Sequence, residues 1–521
     1  MDIRFYMRKS RKGDRVMKQQ ARILLAAALG AAAGLSSLNA NTFIYSQKNF
    51  MANRPALVNA PLEYQLWHDH AYDLRLEGLR TSVQAVAYYQ KSQQADDLGA
   101  YFGVNKSNSF KVGTTNDVAT GVADIDGTLL IHQNGIAPAN QLSGTETFSP
   151  YQEKYGLRLD YFQDITHRSC KLFFRASAPI EHVATSMNPS FSASTPVVLP
   201  GAEGTFSLAD FFAGRVNVTT PGSRNLQSPL TKAKIAGRQR VVGLADLDLS
   251  LGYKWLDKED KHVYVSFDVT VPTGNKVRGN YLFEPVCGNG KHVGLGGRIH
   301  TGFELWKSEH ANIQFKGSYR YSYLLEATES RTLSLLGIPS TNGQPAVGAK
   351  FSQYDLVGQF GQVAGTALFP AANILTMPLT VKPGSMLETM SIVSFNCSSF
   401  TVDAGINSFW KDQESVWVKS FADNVYGVAN AAFNTTLPAT TFVAPAGNAQ
   451  DLTPIARANL DVNSVKTPAL LTFKPFAGFG YTFHICKKYP ASVGVGASYE
   501  FETSNADIEN YQVWLKTCFS F

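Results

Sequence analysis

The residues of this chain that are able to do chemistry fall into three groups. The first is a scatter of histidines and acids. His68 and His70 flank Asp69 with no third ligand at metal spacing, and His132, His167, His182, His262 and His300 stand without a motif around them. Asp96-Asp97 and Asp124 with Asp126 form a solvated acidic cluster in a loop. A lipase needs Ser and His poised together, and no such pairing is readable. The second group is the five cysteines, Cys170, Cys287, Cys397, Cys486 and Cys518. They show no CxxC or metal spacing, and an odd number leaves at least one thiol unpaired. One or two bridges among Cys170, Cys397, Cys486 and Cys518 are conceivable, but unpaired thiols are the expectation. No enzyme activity, catalytic residue, metal or cofactor is expected.

The third group is larger. Charged residues recur at alternate positions inside otherwise apolar segments: Arg158, Asp160, Lys171, Arg175, Asp246, Asp248, Lys254, Asp268, Arg298, Glu304, Lys316, Arg320, Asp403, Lys474, Glu500 and Lys516. Their neighbours in these segments are aliphatic and aromatic. Val263, Val265, Phe267, Val269 and Val271 alternate with Tyr264, Ser266, Asp268 and Thr270, and Leu247, Leu249, Leu251, Tyr253 and Trp255 alternate with Asp248, Ser250, Gly252 and Lys254. Period-two alternation means that one face meets an apolar medium and the other meets water. An Arg or Lys facing lipid near the midplane costs about 2–4 kcal/mol, so the sixteen charged positions are read as lining a lumen. The signs are grouped by strand: Arg158 with Arg175, then Asp246 and Asp248 with Asp268, then Arg298 with Arg320. Two readings stay open. Opposed charged walls would set a transverse field across a pore, whereas ion pairs would simply fill a narrow barrel.

The elements that must position these residues are strands. Twelve candidates are read, at 79–91, 154–164, 170–183, 241–256, 262–273, 291–306, 312–326, 385–397, 400–411, 470–485, 489–502 and 508–521. They are longer than the usual globular strand of about 5–6 residues, and their length suits a tilted bilayer crossing. Connections alternate: short at 165–169, 257–261, 307–311, 398–399 and 486–488, and long at 92–153, 184–240, 327–384 and 412–469, with a moderate one at 274–290 and one exception, the short outer connection at 503–507. Short periplasmic turns opposite long external loops are the habit of outer-membrane barrels. An open sheet would strand edge N–H and C=O groups in lipid, so the expected fold is an all-β, closed transmembrane antiparallel barrel of 12–14 strands. Region 412–469, where Val416 and Val418 alternate, leaves the count open, and the pattern puts both termini in the periplasm.

Two ends of the chain sharpen this reading. Met17-Lys18-Gln19-Gln20-Ala21-Arg22 is a cationic n-region, Ile23–Leu38 is apolar, and Leu38-Asn39-Ala40 ends on a small residue. Residues 1–40 read as a signal peptide, with Met17 as a candidate start. Residues 41–78 are a periplasmic or plug segment, and 79–521 are the barrel. At the other end, Tyr511, Val513, Leu515, Phe519 and Phe521 alternate up to the last residue. Such a strand resembles the closing strand that the barrel-assembly machinery reads.

Composition agrees. Only 17% of residues are charged, against about 25% in ordinary soluble chains. The formal charge of +6 belongs to the leader, since residues 41–521 carry 39 residues of each sign. No electrostatic footprint for nucleic acid remains.

The stretch Gly243-Leu244-Ala245-Asp246-Leu247-Asp248-Leu249-Ser250-Leu251-Gly252-Tyr253, followed by Val269-Thr270-Val271-Pro272-Thr273-Gly274, resembles a segment of the outer-membrane transporters for fatty acids and aromatic hydrocarbons, including the phenol-degradation meta-pathway group. The resemblance covers about 60 of the 521 residues. It implies a barrel that passes hydrophobic small molecules, with an N-terminal plug. The Asn-Pro-Ala motif of the fatty-acid branch is replaced here by Asn59-Ala60-Pro61. The expected function is an outer-membrane channel or transporter for small solutes, with outer-membrane lipid, the assembly machinery and solutes as partners. A homo-oligomer is compatible with the sequence, which shows no readable interface. The alternative is a non-transporting surface barrel whose long loops act in adhesion or host interaction.

Overall fold

The computed structural model describes residues 47–521 except 53, 67–80, 132–141, 166–170, 199–204, 220–224, 259, 339–349, 361–367, 430–451, 487–488 and 505–507. Residues 1–40, read above as a signal peptide, and His68-Asp69-His70, His132, His167 and Cys170 lie outside the described residues. Twelve antiparallel strands close into one barrel. They are β1 Thr81–Ser92, β2 Tyr151–Asp164, β3 Leu172–Ser186, β4 Leu247–Lys258, β5 Lys261–Val271, β6 Gly294–Lys307, β7 Ala311–Leu324, β8 Gly384–Cys397, β9 Phe400–Lys411, β10 Leu470–Ile485, β11 Tyr489–Ser504 and β12 Asn510–Ser520. Every segment read from alternation is present.

Closure joins the first strand to the last. The β1–β12 ladder runs from Ser82↔Ser520 to Ser92↔Asn510. The amide and carbonyl of Phe521 both pair with Thr81 at 2.9 Å. No barrel edge is left to lipid, as the cost of unpaired backbone groups demands. Facing follows the pleat: on β12, Val513 and Leu515 are 45% and 50% exposed, while Trp514 and Lys516 are buried. Trp255, Phe267, Trp306, Phe400 and Phe479 also stand outward. This apolar exterior around a charged interior makes the chain a membrane-spanning barrel of the outer-membrane type. Leu515 stands midway along β12, and Leu515→Arg is expected to destabilise the barrel by about 2–4 kcal/mol, the cost of a lipid-facing Arg near the midplane. Urea unfolding in lipid vesicles measures this, and an unchanged midpoint would contradict the lipid-facing assignment.

The strand read as 241–256 is interrupted. Gln239–Leu244 and β4 both pair with β3, the first ending at Leu244↔Ile180 and the second starting at Asp248↔Ser177. The bulge between them places Asp246 at φ +59°. Opposite lies Pro179, which has no N–H to donate to the ladder and accepts from the Ala245 amide at 2.8 Å.

The long connections fold into a cap at one end of the barrel. One core gathers Phe102, Phe110, Phe148, Phe211, Phe212 and Phe351. A second gathers Leu333, Leu375, Leu379, Val381, Val416 and Val428. Ser415–Val418, Tyr426–Ala429 and Leu452–Pro454 are short strands in the sheets of this cap. Among the described residues, region 412–469 therefore adds no spanning hairpin, and the closed barrel has twelve strands.

Two acids give the cap opposite pH responses. Glu146, on Ser143–Phe148, is fully buried, and neither carboxylate oxygen has a partner among the described residues. Burial pushes its pKa well above the ordinary 4.5. A raised carboxyl favours the folded cap most below the unfolded value, and that advantage is lost as pH climbs from about 4.5. For Glu414, burial would also raise the value, but the Arg331 guanidinium at 2.6 Å outweighs it and holds the carboxyl at about 2. Its contribution is complete above about 4.5 and is lost as pH falls toward 2. Glu146→Gln is expected to slow amide exchange in the cap at pH 8 while leaving it unchanged at pH 4. An equal effect at both pH values would contradict the desolvation account.

Candidate functional site

The N-terminal segment occupies the barrel lumen, and the site is built around it. Ala60–Tyr64 is a short helix, α1, with Pro at its first turn, where the missing N–H costs nothing. The Asn59 side chain does not cap it. Instead Glu388 Oε1, from β8, accepts from the Ala60 amide at 2.9 Å. Leu66, at φ +63°, turns the chain away after the helix. The other end of the segment reaches the cap: Asn49 donates to the Thr332 carbonyl at 3.0 Å and to Ser334 Oγ at 2.8 Å. Phe50 lies under the Arg331 guanidinium, 3.6 Å from ring centroid to Cζ. The C-terminus sits at the short-turn end, and residues 47–50 are anchored at the long-loop end, because the segment threads the lumen; the N-terminus itself lies outside the described residues.

Glu63 is the hub. Arg158, Arg175 and Arg298 each reach its carboxylate at 2.6 Å. Arg298 also donates to Tyr64 Oη at 2.7 Å, Arg175 donates to the same oxygen, and that oxygen lies 2.8 Å from His300 Nε2. Behind the arginines stand the wall acids. Arg158 pairs with Asp160 at 2.8 Å, and Arg298 pairs with Asp248 at 3.1 Å and Asp268 at 3.2 Å. Arg320 pairs with Asp248 at 2.9 Å. Four arginines thus meet three wall acids plus Glu63, and the cluster is neutral only with the segment in place. Of the two readings left open, opposed charged walls and ion pairs that fill the lumen, the described residues form the second, as interleaved ion pairs. Unpaired charges in a closed lumen would carry a desolvation cost of several kcal/mol each.

A second node holds the segment from the other side. Arg54 reaches Glu500 at 2.5 Å, Glu388 at 2.8 Å and Asn407 at 2.5 Å, with Lys474 on Glu500 at 2.9 Å. Below α1, Lys516 donates to the Gln65 carbonyl at 2.5 Å, Trp514 Nε1 to Gln65 Oε1 at 2.5 Å, and the Leu66 amide to Asp403 Oδ2 at 3.3 Å. Room for these residues comes from glycines in register on β10 and β11, Gly478↔Gly496 and Gly480↔Gly494. A Cβ on Gly478 would stand 1.2 Å from Gln65 Nε2, and one on Gly494 would stand 2.0 Å from Leu66 Cδ1.

Most of the sixteen charged positions face this interior. Lys254 pairs with Asp164 at 2.6 Å, Lys316 is buried, and Asp246 is buried at the bulge. Two depart from the expectation. Lys171 is exposed and precedes β3, and Glu304 is only half-buried, 3.7 Å from Lys307. Both lie at strand ends, where alternation no longer dictates facing. Glu63, Arg54 and Tyr64 were not foreseen, because residues before the first strand carry no alternation. Glu388 had a readable signal, since it falls on the inward parity of 385–397 between Met386 and Met390. Cys287, Cys397, Cys486 and Cys518 are free thiols.

Two cavities flank the segment and share Pro55. One, with about 30 Å³ of room, lies against β1–β3 and β10–β12. The other, with about 50 Å³, lies beneath the cap and is lined by Phe50, Val277, Leu324 and Met386 together with His292 and Arg331.

Closed strands, an apolar exterior and a charged, occupied lumen define an outer-membrane β-barrel. No family model and no curated protein matches the chain. Among solved structures it is similar to an outer membrane channel from Pseudomonas putida F1, 10% identical over 86% of this chain and 98% of that one, TM-score 0.35. It is also similar to the P. putida toluene transporter TodX, 9% identical over 85% and 90%, TM-score 0.32. The Ralstonia pickettii toluene transporter TbuX is 11% identical over 90% and 95%, TM-score 0.30.

Proposed function

We propose that this protein is an outer-membrane channel for small solutes, closed by its own N-terminal segment. Residues 47–66 act as the plug, residues 1–40 direct export, and the charged wall from Arg158 to Lys516 forms the lining once the plug moves. The last strand, Tyr511 to Phe521, serves as the assembly signal. The observation that carries this reading is the way the segment is held. Charged and polar contacts grip it, with a cavity on either side, where a permanent filler would be packed without voids. The apolar cavity under the cap suits hydrophobic groups, as the resemblance to hydrocarbon transporters implies.

A second reading, a non-transporting surface barrel, is favoured by the cap, whose two apolar cores give the loops a fixed shape. Planar-bilayer recording separates the two. The wild-type protein is expected to show rare or small current steps, and a variant lacking residues 47–66 frequent and larger ones. A folded deletion variant that stays silent would overturn the channel reading.

A further inference from the structure

The outer wall is layered near the long-loop end, where β1, β2, β3 and Gln239–Leu244 lie side by side. Three register rows of side chains face outward there. Leu157, Ile180 and Leu244 form an aliphatic row, and all three are exposed. Two residues nearer the loops, Tyr89, Tyr155, His182 and Val242 form the next row, with the Tyr155 and His182 rings stacked at 4.3 Å between centroids. Two residues further, Lys91 stands opposite Glu153, and Arg240 closes that row beyond Ala184. Arg238 follows Arg240 on the same parity. Glu153 accepts from Tyr89 Oη at 2.8 Å and pairs with Arg238. Lys91 and Arg240 are exposed and make no ion pair among the described residues. Three cations thus meet one acid. At the short-turn rim, by contrast, exposed cations have acids beside them, Lys261 with Asp260 at 3.6 Å and Lys307 with Glu304 at 3.7 Å.

The geometry points to a binding site on this face for an anionic lipid of the outer leaflet, one whose headgroup carries phosphate. The inference rests on the outer-membrane placement and not on the channel reading. Long loops mark the external side of such barrels, so the basic row stands at the outer interface. Aromatic side chains belong at that level, with acyl chains below them. Leu244 and Arg240 are four residues apart, about 13 Å along a strand, which carries the wall from acyl chain to headgroup. Lys91 and Arg240 are three strand spacings apart, about 14 Å, so a headgroup with two separated phosphates meets both. Arg240 adds a planar fork that matches phosphate oxygens. A free phosphate ion would meet only exposed, salt-screened cations, whereas a lipid also covers the aliphatic and aromatic rows.

The test is equilibrium binding of radiolabelled diphosphoryl lipid A to the full chain in a neutral detergent, with dephosphorylated lipid A and inorganic phosphate as competitors. Saturable binding is expected, and each competitor should be at least about tenfold weaker. Lys91→Gln combined with Arg240→Gln is expected to weaken binding about thirtyfold, with the heat-modifiable gel shift of a folded barrel retained. Arg240→Gln alone should give a smaller loss, and Lys261→Gln with Lys307→Gln, at the opposite rim, none. Equal competition by the dephosphorylated lipid would overturn the inference, since the chains alone would then hold it. So would displacement by inorganic phosphate as effective as by the lipid, full binding in the folded double variant, or an equal loss in the opposite-rim control.

Discussion

Replacing Glu63 by Gln is expected to loosen the N-terminal segment more than any other single change of charge. The substitution keeps the shape and removes the anion that Arg158, Arg175 and Arg298 share at 2.6 Å. Those three, with Arg320, then face only Asp160, Asp248 and Asp268, and one buried positive charge is left over. Removing one partner from a buried ion pair typically costs about 3–5 kcal/mol. The cost should appear as weaker retention of residues 47–66, read as faster protease cleavage of the segment and more frequent bilayer current steps. Adding Arg175→Met restores neutrality and should recover part of the loss. That recovery is the coupling expected of residues in one network. If Glu63→Gln leaves cleavage and current at wild-type levels, the segment is held by something other than this cluster.

The second large effect concerns space instead of charge. Gly478→Leu puts a side chain where Gln65 sits, with the first added atom 1.2 Å from Gln65 Nε2. Gln65 has no room to yield, being fully buried and bonded through Oε1 to Trp514. The barrel itself has no reason to fail, since residue 478 keeps its ladder to Asp403 and Gly496. The expected result is a folded barrel with an evicted segment and open-channel current. Gln65→Gly in the same chain should restore closure. Gly237→Leu, at a site where an added Cβ meets nothing within 4 Å, is the control. A closed, unchanged Gly478→Leu protein would show that the glycine pairs are not the seat of the segment.

Much of this fold was legible because a strand between lipid and water must alternate, and alternation assigns the facing of each residue. Arg158, Asp248 and Arg298 were placed inward on that ground and are buried. The same rule fails at its limits. Lys171 lies beyond the pleat, and Glu304 lies near the end of β6. Val416 and Val418 alternate for a different reason, the filling of a cap core. The four glycines of β10 and β11 were visible as letters. Their use was not, because a missing side chain carries meaning only once its occupant is known.

By itself, the sequence determined the barrel: twelve spanning strands in order with the count open to fourteen, which face meets lipid, and an aromatic C-terminus built into the last strand. These follow from local periodicity and from the demand that every backbone group in a membrane be paired. Only the tertiary structure decided what fills the lumen. Glu63 and Arg54 meet wall residues from 95 to 446 positions away in the chain. No pattern in a segment without regular alternation announces such partners, for the pairing is set by where the closed cylinder brings its charges together.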